Sequence, residues 1–278
     1  MGIKMKVYVL DCGKQEVDKR VILSSAAIAD ADHHHPEAIW TWIPTWAILI
    51  DHPQLGYILY DTAISPDAMR ERWDIGMQKS GPYIVQEDST LPARLYQLHV
   101  EPEQIGTVIM SHLHNDHAGC LHLFKNATVY VHDDELKHAM KHYMTREELP
   151  PYCWLDLDLA CRAELNWKTI KKEDGEIIDL AEDLHIVNFG SGHAHGMLGM
   201  ILDTKKSRPK FVVSDILYSS ENEGPPLTLP GIVYDTIGYR RSVRQYQRLK
   251  RMYDMEVWYG HDIEQWETLV KSQNGYYE

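Results

Sequence analysis

The 278-residue chain has only three phenylalanines and no apolar run near the roughly 20 residues that span a bilayer. It is also short of positive charge. Lysine and arginine number 28 against 41 acidic residues, for a formal charge of −13 with histidine neutral. Phosphate contacts along a nucleic acid need those cations, and so does adhesion to anionic lipid. The composition therefore disfavours nucleic-acid and membrane partners. Cysteine is scarce: Cys12, Cys120, Cys153 and Cys161 show no CxxC spacing, and free thiols in a reducing cytoplasm are expected. No Gly-x-Ser-x-Gly elbow occurs, which removes a serine-hydrolase reading. Repeats, low-complexity tracts and linkers are missing as well. The stretch Met1 to Leu10 holds two lysines and then four apolar residues before Asp11. It is expected to form a first strand rather than a signal peptide.

What remains is an ordinary globular composition, 44% hydrophobic and 25% charged, with ample material for a core. Thr45 to Ile50 and Tyr57 to Tyr60 flank a turn and predict a hairpin. Residues 63 to 92, rich in Pro and Gly, read as irregular with a short helix near Pro66 to Trp73. A segment of this kind serves as a lid or binding loop. With Met69, Trp73 and Met77, it is either a packed loop or the interface of a homodimer. Residues 93 to 99 are helical in pattern. Ile105 to Met110 and Thr128 to Val131 read as strands, and Asp133 to Tyr143 as a helix capped by Asp133 or Asp134. Short strands follow at Lys168 to Lys171, Leu184 to Phe189, Gly199 to Leu202 and Lys210 to Ser214. A basic amphipathic helix spans about Tyr239 to Met252, and Glu256 to Tyr259 is a last strand. Strands in both halves with helices between them predict a two-sheet sandwich with helices outside.

Histidine is the conspicuous excess, at 16 residues. Its centre is Ser111-His112-Leu113-His114-Asn115-Asp116-His117-Ala118-Gly119, where four potential ligands fall within six positions after an apolar strand. Alternation puts His112 and His114 on one side of an extended chain, and Asp116 and His117 turn back across the same space. Imidazole and carboxylate suit zinc, and also iron, manganese or cobalt. Three more ligand-type residues stand at strand ends: His193, Asp215 and His261. Loops at one end of a sandwich converge on a cleft.

The HxHxDH motif followed by spaced His, Asp and His resembles the metallo-β-lactamase superfamily. Within it, the chain is most similar to the quorum-quenching N-acyl homoserine lactonases. The likeness covers most of the chain. It is firmest from Glu101 to Gly119, at Asp215 with Tyr218 three residues on, and in Gly260-His261-Asp262-Ile263-Glu264-Gln265. It implies one domain over residues 1–278, an αββα sandwich of two mixed β-sheets flanked by helices, with a site for two divalent metals, zinc first among them. By the same resemblance His112, His114 and His193 hold one metal, Asp116, His117 and His261 the other, and Asp215 bridges. The implied reaction is metal-assisted opening of a lactone ring. In it the Tyr218 hydroxyl stabilises the oxyanion and Asp116, both ligand and proton shuttle, protonates the departing alkoxide. A promiscuous lactonase or esterase and a thioesterase are the alternatives, and the partner is a small neutral lactone. Two departures from the family pattern stand out: Met197 replaces a second histidine after His193, and Asn115 stands where the lactonases often carry an aromatic.

The other histidines read as structural. His33 to His35 form a loop, His195 a packed loop residue, and His138 with His142 a solvated helix face. His122 and His132 lie beside the central cluster without an assigned role. The basic run Arg240, Arg241, Arg244, Arg248, Lys250 and Arg251 reads as a solvated or salt-bridged face.

Overall fold

A computed structural model describes residues 4–147, 151–171 and 175–278. Twelve strands form two sheets. The first holds β1 (Lys6–Asp18), β2 (Trp40–His52), β3 (Gly56–Tyr60), β4 (Tyr83–Ile84), β5 (Ile105–Ile109), β6 (Thr128–His132) and β7 (Asn166–Ile170), in the order β4-β1-β2-β3-β5-β6-β7. The second holds β8 (Ile177–Ala181), β9 (Leu184–Gly190), β10 (Met197–Leu202), β11 (Lys210–Ser214) and β12 (Glu256–Tyr259), in the order β12-β11-β10-β9-β8. Both are mixed. β3, β5, β6 and β7 run parallel beside an antiparallel β1–β2–β3 meander. The β11–β12 pair is parallel, and the rest of its sheet is antiparallel.

Period-two alternation sorts the side chains into layers. Ile48 and Ile50 of β2 join Val7, Val9, Ile58, Leu198, Met200 and Trp258 between the sheets. Ala47 and Leu49 face the opposite way, onto a core with Leu95, Ala139 and Leu157 from the outer helices Leu91–Gln97, Asp133–Thr145 and Trp154–Arg162. On the far side, helix Thr236–Tyr253 lays Tyr239, Val243, Tyr246 and Leu249 on Phe189, Phe211 and Val257. The layers are helix, sheet, sheet, helix, as the αββα expectation has it.

The hairpin, the middle strands, the basic helix and the last strand stand where the sequence places them. Several boundaries differ. The first strand runs on to Asp18, past a bulge between Asp11 and Lys14 where Gly13 takes φ +95; Met1 to Ile3 lie outside the described residues. His132, not Asp133 or Asp134, caps the helix Asp133–Thr145, its Nδ1 accepting from the Asp134 amide at 3.2 Å. The irregular segment contains a short helix at Ala68–Arg72, another at Ile75–Ser80 and the two-residue β4. Helices Trp154–Arg162 and Ile263–Thr268 and strand β8 carry no clear signal in the sequence. All four cysteines are free. Among the described residues no helix is long and apolar enough to cross a membrane.

Candidate metal centre

β5 delivers the chain to one end of the sandwich, where Ser111 to His117 fold over the edge of both sheets. His114 precedes a single helical turn, Asn115–Ala118. That turn is fastened from below: the Thr62 amide and hydroxyl both donate to the His117 carbonyl, at 2.7 and 2.8 Å. Close approach requires glycine at the end of the turn, because a Cβ on Gly119 would lie 2.2 Å from the Ser65 nitrogen. β9, β11 and β12 end at the same place and supply His193, Asp215 and His261. Ser214 adopts left-handed backbone (φ +48) to aim Asp215 inward, a strained geometry typical of functional sites. Gly260 leaves room beside it, since a Cβ there would sit 2.6 Å from Asp215 Oδ1.

All seven ligand-type residues converge. They form two donor groups, His112, His114 and His193, and Asp116, His117, Asp215 and His261, with the donor atoms of each group within 4.8 Å of one another. Asp215 faces both. Its Oδ2 lies 3.3 Å from His193 Nε2 and 3.9 Å from His112 Nε2. Its Oδ1 lies 3.4 Å from His117 Nε2 and 3.3 Å from His261 Nε2. Asp116 Oδ2 is 3.3 Å from His117 Nε2 and 3.5 Å from His261 Nε2. Ligands about 2.0–2.1 Å from a tetrahedral ion stand about 3.3 Å apart, so the spacings suit one metal in each group. The Nε2 atoms of His112, His117 and His261 are buried and have no hydrogen-bond partner. Orphaned buried nitrogens are costly, and a cation in each group would satisfy them.

The opposite ring nitrogens are anchored. His193 Nδ1 donates to the Ile232 carbonyl at 2.9 Å and His261 Nδ1 to the Pro44 carbonyl at 3.0 Å. His117 Nδ1 meets Asp61 Oδ2 at 2.8 Å. Such outer bonds fix the tautomer and leave the inner nitrogen free to ligate. Electrostatics divide the groups. Burial drives His112, His114 and His193 below the usual imidazole value. Burial also opposes charge on His117 and His261. There the carboxylates outweigh it, raising His117 well up and His261 to about 9. Asp116 and Asp215 are themselves held well below the usual carboxylate range: burial opposes their charge, but the adjacent imidazoles prevail. Without metal, protons stabilise the two carboxylates. Metal binding displaces such protons.

Tyr218 lies over the site, its ring centroid 5.3 Å from that of His193 and 4.9 Å from that of His261. Its backbone carbonyl accepts from the His261 amide at 2.7 Å. Burial, then the Asp215 and Asp116 charges, keep the phenol well above its ordinary value, so it stays a donor. Tyr218, His114 and Asp116 line a cleft of about 230 Å³ whose other walls include Val17, Ile43 and Met77.

Three residues of this centre carry no assignment from the sequence. Asp61 accepts from the Ser111 amide and hydroxyl, both at 2.7 Å, as well as from His117. Ser111 Oγ in turn meets His112 Nδ1 at 2.9 Å. Glu135, fully buried, accepts from the amides of Leu113, His195 and Gly196 at 2.9, 3.0 and 3.2 Å, and from the Tyr152 hydroxyl at 2.9 Å. It thereby joins the His112–His114 segment to the His193 loop; burial pushes its carboxyl up to about 7. Asp61 follows the strand-end rule that finds Asp215. Glu135 has no local signal, because its partners are distant in sequence. Glu135→Gln turns one acceptor oxygen into a donor facing donors. Urea unfolding of the metal-free variant is expected to show a loss of about 1–3 kcal/mol; a loss within error would mean the two loops hold without it.

Among the remaining histidines, His33 to His35 are exposed and His195 is packed, its Nδ1 3.1 Å from the Tyr152 hydroxyl. The solvated face assigned to His138 and His142 is corrected. His142 is buried, and the His138 ring packs on His195 at 3.2 Å between centroids. That side of the helix turns inward, toward Tyr152. His122 and His132 fall in neither donor group.

The sequence profile of the metallo-beta-lactamase superfamily matches residues 40–203, the span that carries nine of the twelve strands and five of the seven clustered ligand-type residues, His112, His114, Asp116, His117 and His193. The chain belongs to the metallo-beta-lactamase superfamily. Relatives align over nearly the whole chain. The chain is 36% identical over 275 residues to N-acyl homoserine lactonase AiiB of Rhizobium rhizogenes strain K84, covering 98% of this chain and 99% of that one. The AiiB of Agrobacterium fabrum strain C58 matches with the same identity and coverage. A solved N-acyl homoserine lactone hydrolase, with the product N-hexanoyl-L-homoserine at its catalytic metal centre, superposes with TM-score 0.80 at 21% identity, over 99% of this chain and 100% of that one. AidC, a dizinc quorum-quenching lactonase, superposes with TM-score 0.64 at 15% identity, over 100% of this chain and 95% of its own. Both share the superfamily fold.

Proposed function

We propose that the protein is a dinuclear metal-dependent hydrolase that opens the lactone ring of N-acyl homoserine lactones. One observation carries the reading: two donor groups share the two oxygens of Asp215 beneath a cleft walled by Tyr218 and apolar side chains. The full-length relatives named N-acyl homoserine lactonase support the substrate. His112, His114 and His193 would hold one ion, Asp116, His117 and His261 the other, with Asp215 between them. Zinc suits the His and carboxylate donors best, with iron, manganese or cobalt as substitutes. Bound there, two divalent cations supply Lewis acidity toward an ester carbonyl and bring the pKa of water near neutrality.

The chain's own residues complete the chemistry. The Tyr218 hydroxyl, kept protonated by its surroundings, donates to the carbonyl oxygen as negative charge develops on it. Water adds to the carbonyl carbon as the ring C–O bond breaks, and Asp116, an ionised carboxylate on the cleft wall, takes the proton that this water gives up and passes it to the departing alkoxide. Val17, Val21, Ile43 and Met77 give an acyl chain an apolar wall. The substrate is neutral, so the −13 charge does not repel it. A cytoplasmic setting suits the four free thiols.

Tyr218→Phe is expected to lower turnover of N-hexanoyl homoserine lactone by about 10-fold or more while two metal equivalents remain bound. An unchanged rate would remove Tyr218 from the reaction. Turnover by the wild type across lactones, thioesters and phosphodiesters, with metal analysis alongside, tests the reading as a whole. Preference for a thioester or a simple aryl ester would replace it.

A further inference from the structure

The helix Thr236–Tyr253 buries one face and leaves the other in solvent. At 100° per residue, Arg240, Arg244, Arg248 and Arg251 fall within an arc of about 80° on that outer face, with Ile237 inside the same arc. All four arginines are exposed. The helix contains no acidic residue. Lys250 pairs with Glu223 at 2.8 Å, and Arg241 donates to Ser191. Of the expectation for this run, the solvated face describes the four outer arginines and the salt bridge describes Lys250. In a chain where acidic residues outnumber basic ones 41 to 28, such a concentration of one sign is unusual. Guanidinium stays charged at any physiological pH.

We infer that this face docks the protein on an anionic lipid surface. Charge complementarity calls for an anion, and the exposed apolar side chains choose among anions. Ile237 is 80% exposed at one end of the stripe and Met252 59% exposed at the other. Apolar groups flanking basic ones enter the boundary between headgroups and acyl chains, whereas a nucleic-acid backbone offers them nothing. A second copy related by two-fold symmetry would set arginine against arginine. The net charge of −13 does not veto the contact, because charges beyond a Debye length of about 8 Å are screened.

The helix hangs from the metal centre: the Tyr234 amide donates to the His193 carbonyl at 3.1 Å and the Asp235 amide to that of Gly192 at 2.9 Å. Docking would tether the protein at the leaflet in which an acylated substrate concentrates, about fourfold more for each buried CH₂. This use rests on the lactonase reading; the docking itself stands on the helix alone.

Vesicle sedimentation with the intact wild-type protein tests it. Binding to phosphatidylcholine vesicles containing phosphatidylglycerol is expected at low salt, with loss at high salt and none to phosphatidylcholine alone. Each arginine contributes about fivefold, so the combined R240Q, R244Q, R248Q and R251Q variant should bind about 600-fold more weakly. Its turnover of soluble N-hexanoyl homoserine lactone should match wild type, which shows that it is folded. Failure of the wild type to bind the anionic vesicles, equal binding by the variant, or tighter binding to duplex DNA than to vesicles would each overturn the inference. Failure to hydrolyse the lactone would strike the proposed function and leave the docking result intact.

Discussion

Asp215→Asn is expected to leave the protein folded with no more than one tightly bound metal equivalent and to lower lactone turnover by about 100- to 1000-fold, the scale of losing one preorganised electrostatic stabiliser. The substitution is nearly isosteric, so packing around the fully buried side chain is preserved. What changes is the donor set. In the wild type, Oδ2 faces His193 and His112 while Oδ1 faces His117 and His261. An amide keeps one acceptor oxygen and turns an N–H₂ toward the other group, where it can neither ligate nor balance charge. One group loses its shared ligand whichever way the amide points. His261, raised to about 9 by Asp215 and Asp116 against the opposing effect of burial, also loses part of the field that sustains its proton in the metal-free state. Metal stoichiometry after exhaustive dialysis, read beside the thermal midpoint of the metal-free protein, separates loss of ligation from loss of fold. Two retained equivalents at wild-type affinity would mean that Asp215 does not bridge.

The site was legible in the sequence where its ligand-type residues are local. His112 to His117 declare themselves because no packing argument places three imidazoles and a carboxylate directly after an apolar strand. His193, Asp215 and His261 are ambiguous one at a time. They become informative because each ends a strand, and strand ends of a sandwich meet. The division of labour between the two oxygens of Asp215 has no trace in the sequence, since it depends on Ser214 taking a left-handed backbone and on Gly260 yielding space. Glu135 was illegible for a related reason: its partners lie tens of residues away, and a lone acidic residue near a helix start is ordinary. Asp61 carries the same strand-end signal as Asp215, but its role emerges only from its bonds to Ser111 and His117. The misreading of His142 shows the limit of spacing rules. An i, i+4 pair fixes which residues share a helix face but not which way that face turns. Helix Trp154–Arg162 hides behind alternating Leu and Asp, a strand-like pattern. Its buried acids are held by distant partners, Asp156 by Arg72 at 2.7 Å and Asp158 by the Tyr143 hydroxyl at 2.9 Å.

Asp61→Asn is expected to weaken metal binding at the Asp116, His117, Asp215 and His261 group by about 10- to 100-fold, the usual cost of removing an outer-sphere partner, and to lower turnover in proportion at limiting metal. The backbone at residue 61 has φ +58, which asparagine tolerates about as well as aspartate. Any effect therefore comes from the side chain. The carboxylate accepts three bonds: the Ser111 amide on Oδ1, and the Ser111 hydroxyl and His117 Nδ1 on Oδ2. If the amide oxygen takes the Oδ2 position, its N–H₂ meets the Ser111 N–H, a donor against a donor in a buried pocket. If it turns over, the N–H₂ meets His117 Nδ1 and drives the ring to its other tautomer, with a proton on Nε2. That is the nitrogen which must ligate. Both orientations are unfavourable, and the second disables His117 directly. The His112, His114 and His193 group feels the change only through Ser111 Oγ, so its affinity should fall less. Competition titration of the zinc-loaded protein against a chelator resolves the two affinities. Equal weakening of both groups would point to a general loss of structure, and wild-type affinity at both would show that Asp61 does not set the His117 tautomer.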